Sequence, residues 1–171
     1  MLLRVRHLGP KPHMASISGP QGFSSACVVG RSGIVTRKRE GDGASPRGNF
    51  HLRQVFYRPD RLPPPVTALP VQAIARDDGW CDAPTHPRYN QRVSLPLMGS
   101  HEKLWRSDGV YDIIVALSHN ESPVVSGLGS AVFLHLTSND LGPTAGCVAV
   151  TRPVMLRILA MADRETALAI G

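Results

Sequence analysis

A histidine and a cysteine twelve positions apart are the residues of this chain whose types and spacing could do chemistry. His135 closes the apolar run 129–134, and Cys147 ends the tetrapeptide 144–147 (TAGC). A thiolate is a strong nucleophile, and an imidazole in contact with a thiol can remove its proton at neutral pH. The pair therefore predicts nucleophilic catalysis; the competing interpretation is a buried structural cysteine and a core histidine.

The neighbours of Cys147 favour the catalytic interpretation. Gly146 leaves the backbone free to turn, so that the N–H groups of Gly146 and Cys147 can face an oxyanion. Pro153 lies early in the helical pattern that follows, which predicts that Cys147 lies near the start of a helix. The helix dipole would favour the thiolate there.

Two blocks of the sequence resemble those of the bacterial L,D-transpeptidases with a YkuD-type catalytic domain. That family carries a histidine at the end of an apolar strand and then Ser/Thr-His-Gly-Cys. Here His135 matches the first histidine, and Thr144, Gly146 and Cys147 match three of the four later positions. Upstream, residues 39–50 (REGDGASPRGNF) are similar to the family segment G-D-G-x-[ST]-P-x-G-x-[FY]. The resemblance spans roughly residues 25–171.

Three departures mark an atypical branch of that family. Ala145 stands where a second histidine is usual, Val148 follows the cysteine where an arginine is common, and the interval between His135 and Thr144 is shorter than usual. Because the first histidine is the one generally assigned as the base, the implied Cys–His chemistry is retained. The departures change the segment that contacts the donor substrate.

The resemblance implies a cysteine-dependent acyltransferase of peptidoglycan that uses no cofactor. Cys147 would attack the carbonyl of an L-residue in a stem peptide, and His135 would take the thiol proton and give it to the departing amine. The N–H groups of Gly146 and Cys147 would hold the oxyanion. By analogy with other Cys–His enzymes, the carbonyl of Leu136 or another nearby acceptor is expected to hold the imidazole tautomer.

An amine of a second stem peptide would then resolve the thioester and form a cross-link. Most of the family makes 3–3 links, and Ala145 with its shortened loop allows atypical 1–3 links between L-Ala and diaminopimelate. Donor and acceptor stems are the implied partners, and carbapenems are implied inhibitors. Water in place of the amine would give an L,D-carboxypeptidase or endopeptidase.

Other functions fit the sequence less well. A non-catalytic cell-wall-binding module of the same fold would hold glycan without acylation. The spacing from Cys147 to Arg152 is C-x₄-R, whereas a phosphatase loop needs C-x₅-R. Papain-like peptidases place the cysteine before the histidine, which is the opposite order.

Several residues are predicted to contact the substrate. Thr144 and Ala145 lie in the motif itself. His119 and Asn120 directly follow the apolar run 111–117, where they can face the cleft or form a strand-end turn.

Trp80 and Tyr89 lie in a proline-rich stretch, residues 58–92, where they can line a cleft or pack a surface loop. Residues 101–103 (HEK) are predicted to form a solvated face. Asp42 and Ser45, within the upstream block, are predicted to form turns that position the fold.

The composition is that of a single globular domain over residues 1–171. The chain is 42% apolar and 19% charged, and no apolar run approaches the ~20 residues of a membrane-spanning helix. Residues 1–7 alternate like a strand and hold no hydrophobic segment of signal-peptide length. The family works outside the cytoplasmic membrane, so we expect a periplasmic or cell-envelope location, reached through an unseen precursor segment or another route.

The net charge of +6 comes from sixteen arginines and three lysines. They are scattered along the chain, and aromatic residues make up only 5%, so there is no stacking platform for bases. We therefore expect no nucleic-acid partner, although a basic nucleic-acid-binding β domain is a remaining alternative. The basic surface suits an acidic cell-wall polymer.

The cysteines and histidines predict no metal site. Cys27, Cys81 and Cys147 include no C-x-x-C, and the seven histidines show no metal-ligand spacing. One disulfide between Cys27 and Cys81 would leave Cys147 free; alternatively, Cys27 is simply buried. The oligomeric state is open.

Strands dominate the elements that must position these residues. Thr151 can cap a helix that contains Pro153 and an apolar stripe. The stretch 58–92 is predicted to be a long surface excursion that borders a cleft. The predicted fold is mainly β with a helix after the cysteine, and the family resemblance implies a twisted β-sandwich. Strands are predicted at residues 2–7, 26–30, 48–57, 111–117, 130–136 and 166–170.

Overall fold

A computed structural model describes residues 1–137 and 140–171, and within them the chain forms fourteen β-strands and one α-helix. The strands are β1 (Leu2–His7), β2 (Met14–Ser18), β3 (Ser24–Val28), β4 (Ile34–Val35), β5 (Ser45–Pro46), β6 (Gly48–Tyr57), β7 (Val71–Ala73), β8 (Asp78–Cys81), β9 (Arg92–Ser94), β10 (His101–Lys103), β11 (Ile113–Leu117), β12 (Phe133–Leu136), β13 (Val148–Val150) and β14 (Ala167–Ile170). The helix is α1 (Arg152–Met161).

Eight of these strands close into a ring. The order is β6, β11, β12, β13, β3, β2, β1 and β14, and β14 pairs with β6 again. The length of β6 makes the closure possible. Its first half pairs with β14, with Phe50 opposite Leu168, and its second half pairs with β11, with Phe56 opposite Ile114. Strand β7 pairs with β6 in parallel, β10-β8-β9 form a small sheet, and β4 pairs with β5.

The two faces of the ring carry different apolar clusters. One face of each of the eight strands contributes to a large core, which also buries Met155, Ile158 and Leu159 of α1. The opposite face of β6, β11 and β12 carries a second cluster, which includes Phe133 and also Cys147, the residue before β13. Because side chains alternate along a strand, neighbouring residues of β11 and β12, such as Phe133 and Leu134, belong to different clusters.

The small sheet covers the second cluster. The indole of Trp80, in β8, packs edge-on against Phe133 with ring centroids 5.0 Å apart, and against Phe56 at 6.4 Å. The segment predicted to be a long surface excursion therefore contains β7 and β8, and its Asp82 lines a cavity that reaches Cys147.

The predicted mainly β fold with a helix after Cys147 is confirmed, and two strand predictions, 2–7 and 48–57, agree to the residue. Strand β3 begins two residues before the prediction because Gly19 N–H donates to the Phe23 carbonyl (2.9 Å). That turn starts the β2–β3 pairing at Ser18 and Ser24. The strands predicted at 111–117 and 130–136 begin later, at Ile113 and Phe133. Strands β2 and β13 and the shorter strands β4, β5, β7, β8, β9 and β10 were not predicted.

Two predictions about the helix are wrong. Cys147 does not lie at its start, because β13 separates them, so the helix dipole does not act on the thiol there. Thr151 occupies the N-cap position, but its side chain makes no capping hydrogen bond. Pro153 lies in the first turn, as expected.

The cysteines are unpaired, so the Cys27–Cys81 disulfide is not formed. Cys27 is buried in the large core, where burial raises the pKa of its thiol to about 12. In the part of the chain that the structure describes, no helix is both long and apolar enough to cross a membrane.

Candidate active site

The parallel pairing of β12 and β13 brings the predicted histidine and cysteine onto one face. Leu134 lies opposite Val148, and His135 lies opposite Ala149. Cys147 immediately precedes Val148, so alternation places its side chain on the same face as that of His135. Both residues line one cavity.

The Cys147 thiol is almost completely buried and hydrogen-bonded. Sγ donates to the carbonyl of Ala131 at 3.1 Å, and the Phe133 N–H donates to Sγ at 3.4 Å. Burial raises the pKa of Cys147 to about 12, and the charge of Glu102 acts in the same direction. The resting group is therefore a thiol, not a thiolate.

The His135 imidazole is held in one tautomer. Its Nδ1–H donates to the Leu136 carbonyl at 2.8 Å, one of the acceptors expected by analogy, so the neutral ring carries its lone pair on Nε2. Tyr111 packs edge-on against the imidazole, with centroids 5.2 Å apart. Burial lowers the pKa of His135 to about 4. At neutral pH the ring is an uncharged base.

Two cavities reach Cys147, and both are also lined by Ala145 and Glu102. The histidine-side cavity, about 240 Å³, is the one that contains His135. The second, about 190 Å³, is the charged cavity. The charged cavity is also lined by Arg31, Lys38, Glu40, Asp82, Ser130 and Gly146, among others.

Side-chain hydroxyls fix the backbone of the motif. The carbonyl of Cys147 accepts hydrogen bonds from Thr144 Oγ1 at 2.7 Å and from Ser45 Oγ at 3.0 Å. The Gly146 N–H donates to Thr144 Oγ1 at 3.1 Å. For Gly146 to bind an oxyanion, this N–H would have to change partner, so its oxyanion role stays a prediction. Thr144 lines the histidine-side cavity, and Ala145 lies exposed between the two cavities.

The upstream block forms the loop beneath the charged cavity. Asp42 accepts hydrogen bonds from Lys38 Nζ at 2.5 Å, from the Arg39 N–H and from the Ala44 N–H. Although burial opposes it, these bonds hold the pKa of Asp42 below its ordinary value. Ser45 Oγ also accepts from the Gly30 N–H. Asp42 and Ser45 therefore position the backbone, as the sequence indicated.

His119 and Asn120, predicted to contact substrate, hold a loop. His119 Nε2 donates to the Leu128 carbonyl at 2.9 Å. The Asn120 amide donates to the carbonyls of Val125 and Gly129 and accepts from the Val125 N–H. Neither residue lines the two cavities at Cys147.

Tyr89 and Trp80 have similar supporting positions. The Tyr89 hydroxyl donates to Glu40 Oε2 at 2.5 Å and accepts from the Gly129 N–H. Trp80 Nε1 donates to Asn90 Oδ1 at 3.0 Å. Their polar atoms are used within the fold, and substrate binding by these residues stays a prediction.

Glu102 was missed, because residues 101–103 were predicted to form a solvated face. That prediction is wrong for Glu102, which is partly buried in β10 and accepts a hydrogen bond from the Tyr111 hydroxyl at 2.5 Å. Burial raises the pKa of its carboxyl, while the Tyr111 bond opposes the rise. Because residues 101–103 are all polar, the sequence gave no signal that Glu102 faces inward.

Comparison with known families agrees with this fold. Residues 16–170 match the model of the YkuD family, the L,D-transpeptidase catalytic domain. The chain belongs to that family. No curated protein and no solved structure gives a significant match.

Proposed function

We propose that the protein is a peptidoglycan L,D-transpeptidase that links stem peptides through a thioester on Cys147. The observation that carries the proposal is the position of this thiol, which lies where two cavities meet and shares one of them with His135. Membership of the YkuD family supports the reaction class. A periplasmic or cell-envelope location, which is typical of the family, is part of the proposal.

The resting charges favour a reaction in which the proton moves as the bond forms. Cys147 is a neutral thiol and His135 a neutral imidazole, with pKa values of about 12 and 4. Cys147 Sγ attacks the carbonyl of an L-residue while His135 takes the thiol proton, and His135 then gives that proton to the departing amine. Backbone N–H groups of Gly146 and Cys147 stabilise the oxyanion, a contribution of roughly 10²–10³ in rate per donor.

Two cavities match a reaction with two peptide substrates. A donor stem would lie in one cavity and an acceptor stem would approach the thioester from the other. Ala145 lies between the cavities, where a histidine is usual in the family, and its small side chain leaves more room at the scissile bond. Cross-links of the 3–3 type, or 1–3 links between L-Ala and diaminopimelate, are both consistent with this space.

The burial of both reactive groups favours one second candidate, a cell-wall-binding module that has lost catalysis. In that case, Cys147 would react no faster than Cys27 or Cys81. Hydrolysis of the thioester by water, giving an L,D-carboxypeptidase or endopeptidase, would use the same two residues.

Intact mass measured after incubation with a carbapenem tests the proposal. We expect a single adduct in the wild-type protein and none in Cys147→Ala. Cys81→Ala is a matched control at another buried cysteine and should keep the adduct. Digestion of purified sacculi followed by muropeptide analysis then separates the link types. A protein that forms no adduct and no muropeptide dimer would leave the binding module as the function.

A further inference from the structure

The carboxyl group of Glu102 lines both cavities that meet at Cys147. The Tyr111 hydroxyl holds it in place through a 2.5 Å hydrogen bond to Oε2. Strand β10 carries Glu102 opposite Trp80 of β8, so the position is fixed by a strand and not by a free loop. Glu102 therefore borders the space on both sides of Cys147.

Three acidic residues, Glu40, Asp82 and Glu102, and two basic residues, Arg31 and Lys38, line the charged cavity. Among the described residues, Asp82 Oδ1 is one of two buried side-chain polar atoms without a hydrogen bond. Asp82 lines this cavity, and its charge adds to the rise in the pKa of Glu102, for which burial is the main cause. The Lys38 side chain is 8% exposed, and its ammonium group is paired with Asp42 at 2.5 Å. The cavity is suited to receive a cation.

Acylation gains nothing from a carboxylate at this position. Burial is the main reason that the pKa of Cys147 is raised, and the Glu102 charge is the second. A group that opposes thiolate formation does not assist the first half of the reaction. The second half brings an ammonium group, which at neutral pH must lose a proton before it can attack a carbonyl.

We propose that Glu102, with Asp82 beside it, binds the ammonium group of the acceptor and takes its proton. This inference rests on the proposed transpeptidase function. The acceptor R–NH₃⁺ gives one proton to the Glu102 carboxylate, and the resulting amine attacks the thioester carbon. The new C–N bond forms, the C–S bond breaks, and the second nitrogen-bound proton passes through His135 to the Cys147 sulfur. Glu102 then releases its proton to water.

A competition between two acceptors tests this role. Wild type and Glu102→Gln are each incubated with a stem-peptide donor and two acceptors at once. One acceptor is a diaminopimelate-containing stem, and the other is hydroxylamine. Hydroxylamine is largely uncharged at neutral pH, so its attack does not need a carboxylate. The amide of the variant keeps an oxygen that can accept from Tyr111. Glu165→Gln, at an exposed carboxylate before β14, is the matched control.

We expect the ratio of cross-linked dimer to hydroxamate to fall on the order of a hundredfold in Glu102→Gln, the lower end of what a positioned proton acceptor contributes. Donor consumption with hydroxylamine alone should not fall in Glu102→Gln, because loss of the Glu102 charge removes one cause of the raised pKa of Cys147. Glu165→Gln should leave the ratio unchanged. An unchanged ratio in Glu102→Gln, or an equal fall in both products, overturns this inference and leaves the proposed function standing.

Wild-type protein that forms neither product overturns the proposed function as well as this inference. If circular dichroism shows that Glu102→Gln does not fold, Asp82→Asn replaces it. The expected result is then a smaller fall in the same ratio, and an unchanged ratio again overturns the inference.

Discussion

Hydrogen bonds join Asn90 to the Ala131 backbone, and the Ala131 backbone to the Cys147 thiol. The N–H of Ala131 donates to Asn90 Oδ1 at 3.0 Å, and the carbonyl of Ala131 accepts the Cys147 thiol at 3.1 Å. Ala131 has a φ of +50°, a left-handed conformation that an alanine adopts only at a cost. The excursion that carries Asn90 thus fixes the peptide that the thiol contacts.

Replacement of Asn90 by alanine should remove the hydrogen bond that fixes Ala131. Asn90 also accepts from Trp80 Nε1 and donates to the carbonyls of His119 and Asn120. Loss of all four bonds leaves partly buried groups unpaired, and we expect the free energy of unfolding to fall by on the order of 3 kcal/mol. Urea unfolding measures this change.

Carbapenem acylation of Asn90→Ala should slow by more than the fall in its folded fraction explains, because Ala131 is no longer fixed. Gln91→Ala, at the adjacent exposed amide, is the control and should change neither quantity by much. Normal acylation in a correctly folded Asn90→Ala protein would show that Ala131 does not position the thiol.

The burial of His135 predicts a loss of stability in acid. Burial lowers the pKa of His135 to about 4 in the folded protein, whereas the unfolded side chain has a pKa of about 6.5. Below pH 6.5 the unfolded state binds more protons, so the stability present at neutral pH is lost as the pH falls from about 6.5 to 4. The difference amounts to about 3 kcal/mol.

Urea midpoints at pH 7 and pH 5 check this, with His135→Gln as the comparison. The variant has no titrating group here, so its midpoint should fall less between the two pH values. The carbapenem acylation rate of the wild type should be nearly constant between about pH 5 and pH 11, because both reactive groups stay neutral over that interval. A bell-shaped profile centred near pH 7 would indicate an ion pair at rest.

The elements with a strong sequence signal were predictable. Strand β1 alternates apolar and basic residues, and β6 is a long strand that follows a glycine-rich turn, so both were placed correctly. The sequence also singled out His135 and Cys147, but their position on one face follows from the β12–β13 pairing, which it did not predict.

The remaining features depend on contacts between segments distant in sequence. Strand β13 has three residues and is buried on both faces, so its alternation could not be read, and Cys147 was assigned to a helix start instead. Glu102 looks like a surface residue until β10 pairs with β8 and Tyr111 donates to it. Such pairings are fixed by tertiary packing, which local patterns do not encode.

Gly146 should not tolerate a side chain. A Cβ at this position would lie 2.9 Å from the backbone oxygen of Ala44, closer than real Cβ contacts allow. The peptide that carries Cys147 would have to move away from the upstream block, which breaks the geometry around the nucleophile. We expect Gly146→Ala to lower the free energy of unfolding by about 1–3 kcal/mol and to abolish the carbapenem adduct.

The matched control for Gly146→Ala is Gly127→Ala. Gly127 also has a positive φ, +78°, but a Cβ there meets no atom within 4 Å. The control therefore reports the cost of a side chain in the left-handed region, about 1–2 kcal/mol, with acylation unchanged. Gly146 has a different φ, +152°, so its variant adds its own backbone cost to the clash. Of the two variants, Gly146→Ala has the clash with Ala44 and Gly127→Ala does not. If Gly146→Ala acylates at the control rate, the close approach of Gly146 to Ala44 is not required for the reactivity of Cys147.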